Sequence, residues 1–418
     1  MNAARRILRC GLASAAGILL AFPISAIPPN AAAPVPAHAA AAPIPCPAPA
    51  VKRSPKPTPP PTDPRDREVG GAALATPGLV TPPGAAAPPA ITATSWVVAD
   101  LDTGQVLGGC GPHEHAVPAS TQKLLLAATV LPKLDPKQVI TVTRKDLDFE
   151  PGSSAVGLLE GGKYPVETLW LGLLLNSGND AANVLARLGG GDAGVAGTIA
   201  AMNEKARELG ARQTRAVTPS GLDGPGQYTS AYDLALIARA CFAEEAFRRY
   251  TLTRQTKIPA QPPRDKSGFQ IQNENQLVFR YRGALGGKTG FTTLARHSYV
   301  GAAERDGRRL VVTLLGAEAR PLRGWQQGAA LLDWGFGLPT DASVGNLVDP
   351  GAGTATPTPA DPEPGGQAAA QVGEPTDDSW VRRPVMLALA AALGVIALVL
   401  AALAARRGPR HIGRRRAR

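Results

Sequence analysis

Cysteine is scarce in this 418-residue chain, with only Cys10, Cys46, Cys110 and Cys241. None stands at zinc-ligand spacing from another cysteine or from a histidine, so no metal and no cofactor is expected. No segment repeats at a fixed period, which removes solenoid and propeller arrays. Acidic residues are missing from both ends: Arg5, Arg6 and Arg9 stand at one, and seven arginines from Arg406 to Arg418 at the other. These ten charges account for all but one of the net +11. The basic balance therefore reports membrane topology, and the near-neutral remainder argues against a nucleic-acid surface.

What is present at the ends fits that topology. Arginines, an apolar stretch to Phe22 and small residues at Ile24-Ser25-Ala26 give residues 1–26 the order of a secretory signal peptide, with a second candidate cut at Ala37-His38-Ala39. Residues 385–405 are uncharged and free of proline, long enough to cross a hydrocarbon core of about 30 Å as one helix. The basic tail, 406–418, then places the C-terminus in the cytoplasm and everything before the span outside, on a single-pass cell-membrane protein. Residues 27–90, rich in Ala and Pro, and 341–384 are expected to be disordered linkers, because such compositions bury too little apolar surface to offset their ordering entropy. Residues 91–340 remain to fold as one domain. Outside the cell a Cys110–Cys241 disulfide is one possibility, but spacing does not fix connectivity.

Within 91–340, "SWVVADLDTGQVL" predicts two strands around an Asp-Thr-Gly turn. "PASTQKLLLAATVL" starts a helix, and a helix over 166–175 is followed by a polar break at Asn176 to Asp180 and a second helix ending in glycines. "AGTIAAMNEKARELG" and "TSAYDLALIARACF" are further helices, the latter capped by Thr229 or Ser230. "GALGGKTGFTT", "RHSYVGAAER" and "RRLVVTLLGAE" read as strands, the last two joined at Asp306-Gly307, with "WQQGAALLDWGF" as a closing helix. Strands at both ends around a helical middle predict one sheet completed by both halves of the domain.

Three short motifs carry chemistry. Ser120 and Lys123 share one helix face, so the amine can act as base for the hydroxyl if burial and positive neighbours keep it neutral. The leucines after Lys123 and the helix N-terminus favour that state, and the same N-terminus offers N–H groups to an oxyanion. Ser177-Gly178-Asn179 lies on the polar break, and Lys288-Thr289-Gly290 lies on a strand after paired glycines. Singly these are as easily a cap, a turn and a surface lysine. In this order, and in these contexts, they form the motif set of serine penicillin-recognising enzymes.

With "LLLNSGNDAANVLA", "MNEKARELGARQTRAVTPSGLDGPGQYTSAYDLALIARA" and "GALGGKTGFTTLARHSYVGAA", the region from about Ile91 to Phe336 resembles the D-alanyl-D-alanine carboxypeptidases, the low-molecular-mass penicillin-binding proteins. The resemblance implies an α/β fold with an antiparallel sheet flanked by helices and a helical lobe, here followed by one C-terminal transmembrane helix. It implies Ser120 as acylated nucleophile, Lys123 as base, Ser177 as proton relay to the leaving amine, and Asn179 as the group holding substrate amide and Lys123. It further implies Lys288 and Thr289 at the terminal carboxylate, Gly290 giving substrate backbone close access, and the N–H groups of Ser120 and Phe291 as oxyanion hole. The implied reaction removes the terminal D-alanine from peptidoglycan stem pentapeptides, with β-lactams as covalent inhibitors.

Two departures stand out: several relatives carry Ala-Gly where this chain has Ala295-Arg296, and Arg323 is a loosely placed further candidate for the carboxylate. Two other outcomes compete. A class A-like β-lactamase needs a carboxylate for deacylation, and no Glu-x-x-Leu-Asn stretch lies between Ser177 and Lys288. A non-catalytic penicillin-binding sensor would show broken motifs or a sizeable cytoplasmic domain.

Overall fold

The structure, a computed structural model, describes residues 42–53, 60, 61 and 63–351. The expected leader (1–26), the span (385–405) and the tail (406–418) lie outside the described residues. Among those described, no helix is long and apolar enough to cross a membrane.

The chain enters through a one-turn helix, α1 (Pro64–Arg67), and strand β1 (Leu79–Val80). β2 (Ser95–Asp100) and β3 (Gln105–Cys110) follow as the expected hairpin. A 3-10 turn, Ala119–Gln122, runs directly into α2 (Lys123–Val130). The helical lobe then holds a hairpin of β4 (Val139–Thr141) with β5 (Lys163–Pro165) and the helices α3 (Val166–Leu175), α4 (Asn179–Gly189) and α5 (Gly194–Glu208). Next come α6 (Ala231–Ala243), α7 (Glu245–Leu252), a second hairpin of β6 (Gln255–Ile258) with β7 (Phe269–Gln272), and α8 (Leu277–Arg280). Three long strands, β8 (Ala284–Thr292), β9 (Arg296–Arg305) and β10 (Arg308–Ala317), lead to α9 (Gly324–Phe336) and β11 (Gly345–Asn346). The two small hairpins and α7 are additions to the elements expected from the sequence.

One antiparallel sheet runs β1-β3-β2-β10-β9-β8, with β11 on β3. Leu310 lies opposite Asp100 and Leu315 opposite Ser95, so the first and last parts of the domain close the sheet together. The sheet is covered on both faces, and the sequence of β2 shows why. Val97 and Ala99 point into the core under α2 and α6, while Trp96 and Val98 point to the core under α9 with Leu331 and Trp334. Ser230 caps α6 by accepting from Asp233 N at 3.0 Å. At the β9–β10 turn, Asp306 and Gly307 both have positive φ, +52° and +77°, as a two-residue hairpin loop of this twist requires.

The expectation of a disordered linker over 27–90 is corrected where that segment is described. Cys46 is disulfide-bonded to Cys110, Leu79 N donates to Ile44 O at 2.8 Å, and Arg53 Nη1 donates to Thr92 O at 2.9 Å. Leu74 is fully buried in the main core. The composition argument assumed that the segment must build its own core; instead it is a strap laid on the domain's. The pairing also replaces the Cys110–Cys241 possibility, since Cys241 is a buried free thiol. At the other end the domain runs past residue 340, because β11 joins the sheet and Leu347 is buried.

Candidate active site

The sharp turn before Ser120 is built from strained backbone. Ala119 has φ +47°, in the region disfavoured for any residue with a side chain. It is held there by packing: a Cβ added to Gly221, itself at φ +85°, would lie 1.9 Å from Ala119 O. Pro118 O accepts from Thr121 Oγ1 and from Ser298 Oγ, both at 2.6 Å, which fixes the turn to β9. Ser120 then opens into a cleft of about 570 Å³ lined also by Ser153, Ser177, Asn179, Glu274, Thr289 and Phe291. A larger cavity, about 700 Å³, lies near His115 and Tyr228 and contains none of the expected site residues.

Lys123 is fully buried, and its Nζ has three close neighbours. These are Ser120 Oγ at 2.9 Å, Asn179 Oδ1 at 2.8 Å and the carbonyl of Ser220 at 2.7 Å. Two of the three can only accept. A neutral amine has two N–H donors and one lone pair, so donation to Asn179 and Ser220 leaves the lone pair for the Ser120 hydroxyl proton. Burial pushes the Lys123 amine well below its usual range, and the nearby charge of Lys288 pushes the same way, against Asp180 and Glu274. Burial is thus the main cause.

Asn179 opens α4 and is held in place, its Nδ2 donating to Ser153 Oγ at 3.0 Å. The next residue, Asp180, ties the cleft wall to this helix by accepting from the N–H groups of Val156, Gly157 and Leu158 at 2.8–2.9 Å. Ser177 is buried at φ +65°, and its Oγ has no hydrogen-bond partner among the described residues. An unpaired buried hydroxyl on strained backbone lining a cleft is poised for a group that enters from outside.

On the opposite wall β8 is the last strand of the sheet, so the edge away from β9 is open to a substrate backbone. Lys288 is buried behind it, with Nζ donating to Thr289 O at 2.7 Å. Burial brings its amine down to about 8, opposed by the charge of Glu274, so it remains an ammonium at neutral pH. Gly286 and Gly287, at φ +103° and +144°, form the kink ahead of it, where Gly287 exchanges hydrogen bonds with Thr251 Oγ1. Glycine at 290 also has a reason inside the protein. A Cβ there would lie 2.3 Å from Ser298 Oγ and 2.9 Å from Ser120 N, so the close approach is to the nucleophile's own backbone.

The structure brings Ser120, Lys123, Ser177, Asn179, Thr289, Gly290 and Phe291 together around one cleft, with Lys288 behind its wall. It leaves out two others. Arg296 pairs with Glu318 at 2.9 Å and stacks over Phe291, while Arg323 starts α9 and lines no wall of the cleft. Arg296 has φ +58°, in the region that favours glycine. The residues that the motifs did not disclose are Ser153, the Ser220 carbonyl and Glu274.

A family model described as D-alanyl-D-alanine carboxypeptidase matches residues 83–319. The D-alanyl-D-alanine carboxypeptidase DacB2 of Mycobacterium tuberculosis is 45% identical over 274 residues, covering 64% of this chain and 90% of that one. DacD of Salmonella typhimurium is 35% identical over 260 residues, covering 59% of this chain and 64% of its own length. Among solved structures, a D-alanyl-D-alanine carboxypeptidase from M. tuberculosis H37Rv superposes with a TM-score of 0.60 at 44% identity, over 64% of this chain and all of that one. The Streptomyces K15 DD-transpeptidase gives 0.57 at 27% identity, over 60% of this chain and all of that one. On the match over 83–319 and the likeness to these enzymes, the chain belongs to the D-alanyl-D-alanine carboxypeptidase family.

Proposed function

We propose that this serine-type D-Ala-D-Ala carboxypeptidase works through an acyl-enzyme on Ser120, with Lys123 as its base. The observation that carries the assignment is the set of neighbours of Lys123 Nζ, two acceptors and one hydroxyl. As Ser120 Oγ attacks the penultimate D-alanine carbonyl, its proton passes to Lys123, and the N–H groups of Ser120 and Phe291 hold the developing oxyanion. The peptide C–N bond then breaks as the proton held by Lys123 is relayed through the Ser177 hydroxyl to the leaving D-alanine amine, which restores the neutral lysine and the serine hydroxyl. Water hydrolyses the ester, releasing the shortened stem peptide. Asn179 orients both Lys123 and the substrate amide, and Lys288 with Thr289 receives the terminal carboxylate. A penicillin acylates the same serine. The β-lactamase and silent-sensor alternatives find no support in the comparisons.

The test is D-alanine release from a peptidoglycan pentapeptide together with covalent labelling by a fluorescent penicillin. Ser120→Ala is expected to lose both; labelling that survives the substitution would remove Ser120 from its role.

The domain is further proposed to work outside the cell, held by residues 385–405 as a single-pass helix with the arginine-rich tail in the cytoplasm. The hydropathy and charge of that stretch support this, as does the Cys46–Cys110 disulfide, a bond of oxidising compartments. Full-length protein should stay with membranes after alkaline extraction, whereas a chain ending near residue 351 should be released.

A further inference from the structure

The two N–H groups proposed for the oxyanion are held very differently. Ser120 sits in a packed turn that runs straight into α2. Phe291 lies near the end of β8, which pairs with β9 on one side and finishes at Thr292. The residue before it is Gly290, which has no side chain to pack. The Phe291 side chain is itself 52% exposed. A strand end with so few buried contacts opens easily unless something else holds it.

What holds it is a chain of contacts leading back into the core. The Phe291 ring lies against that of His297, its partner across β8 and β9, with centroids 4.7 Å apart. The guanidinium carbon of Arg296 stands over the same ring, 5.4 Å from its centroid. Arg296 is tied in turn to Glu318, its Nε donating to Oε1 at 3.1 Å and its Nη2 to Oε2 at 2.9 Å. This two-point pair is well shielded, the side chains being only 22% and 13% exposed. Glu318 is fixed by its backbone: its N–H donates to Thr92 Oγ1 and its carbonyl accepts from Gln327 Nε2, both at 2.9 Å. Thr92 and Gln327 are both buried. On the other side of the turn, Thr292 Oγ1 donates to Asp223 Oδ1 at 2.7 Å and accepts from Ala295 N at 3.0 Å. Arg296 makes these contacts at φ +58°, so its side chain is kept at a cost in backbone strain that the surrounding contacts must outweigh.

We propose that Arg296 is a positioning residue for acylation: tied to Glu318, it clamps the Phe291 ring and so keeps the Phe291 N–H where the oxyanion forms. The inference rests on that N–H being an oxyanion donor. Such a donor acts at full strength only when its place is fixed before the reaction begins. The ring is the side-chain handle on that backbone, and Arg296 joins the handle to buried Thr92 and Gln327 through Glu318. Arg296 does not serve as a direct substrate contact, because its guanidinium is occupied by Glu318 and it lines no wall of the cleft.

The experiment measures, with the purified full chain, the rate of penicillin acylation and D-alanine release from a peptide ending in D-Ala-D-Ala. Arg296→Gly removes clamp and strain together, so kcat and the acylation rate constant should fall roughly tenfold while KM stays within about twofold and the melting temperature holds. Arg296→Asn, which tolerates the same φ, should behave alike and exclude added backbone freedom as the cause. Glu318→Gln, which loosens the guanidinium, should lose about threefold. Phe291→Ala keeps the N–H and removes the ring, so Arg296→Gly should add nothing to it. Acylation by Arg296→Gly within about twofold of wild type, or losses that multiply in the double variant, would overturn the proposal and leave the ion pair a structural clasp. The donor is tested separately by the rate ratio between an ester substrate and its thiono counterpart, since sulfur fits poorly between N–H groups placed for oxygen. That ratio should be large in the wild type and smaller in Arg296→Gly; an unchanged ratio in the variant would sink the clamp alone. A wild-type ratio near one would remove the oxyanion hole itself, and the proposal with it.

Discussion

The helix start that holds Lys123 and the strand edge that holds Lys288 bury the same side chain in the same cleft region, yet they prepare it for opposite tasks. At the helix start the amine meets a side-chain amide oxygen, a backbone carbonyl and a hydroxyl, and the charge of a second lysine stands nearby. That set suits an amine with a lone pair. At the strand edge the buried amine donates to the carbonyl of Thr289; among the described residues no hydroxyl or side-chain amide oxygen accepts from it, and no second lysine is among the causes of its shift. That set suits an ammonium. The lesson is that burial lowers both amines, and the neighbours decide how far and for which task.

The comparison can be broken most severely at the helix start. Lys123→Met keeps the volume and removes the lone pair, so acylation by penicillin and by peptide should fall by about 10⁴ or more while thermal stability holds or rises. Stopped-flow acylation rates with a melting curve check it, and a loss below tenfold would mean another base. Next in size is Gly290→Ala, which places a methyl group against Ser298 Oγ and Ser120 N. Because it displaces an oxyanion donor, a loss of roughly 10² in kcat is expected with KM little changed; a pure KM effect would instead restore substrate approach as the reason for that glycine. The smallest effect sharpens the strand side. An amine with its pKa lowered to about 8 is charged below that pH and neutral above it, so wild-type kcat/KM should fall as pH rises through about 8. Acylation by a substrate lacking the terminal carboxylate should not show that limb.

Much of the fold was legible because its signals are local. β2 alternates between two cores, β9 and β10 meet at Asp306-Gly307, and each of the helices around the Ser177 break ends in a polar or glycine signal. Ser120 and Lys123 were legible for the same reason, being one turn apart on one face. The Ser220 carbonyl was not, since any residue can offer a backbone oxygen and it lies 97 residues from the amine it accepts from. Glu274 was hidden because its place in the cleft depends on two asparagines, Asn273 and Asn275, anchored to other elements. The Ala and Pro composition of the N-terminal segment misled, since composition reports what a segment can bury by itself and not what it can lean on.

The Cys46–Cys110 bond closes a covalent ring across 64 positions of sequence, with the chain's entry strap on one side and the second sheet strand on the other. A single peptide-bond cut within that ring would leave both pieces joined through sulfur, and they would separate on a gel only after reduction. Anyone trimming the enzyme to a minimal catalytic fragment should therefore begin ahead of Cys46. A fragment starting at Ile91 would expose the Cys110 thiol and strip Leu74 from the core.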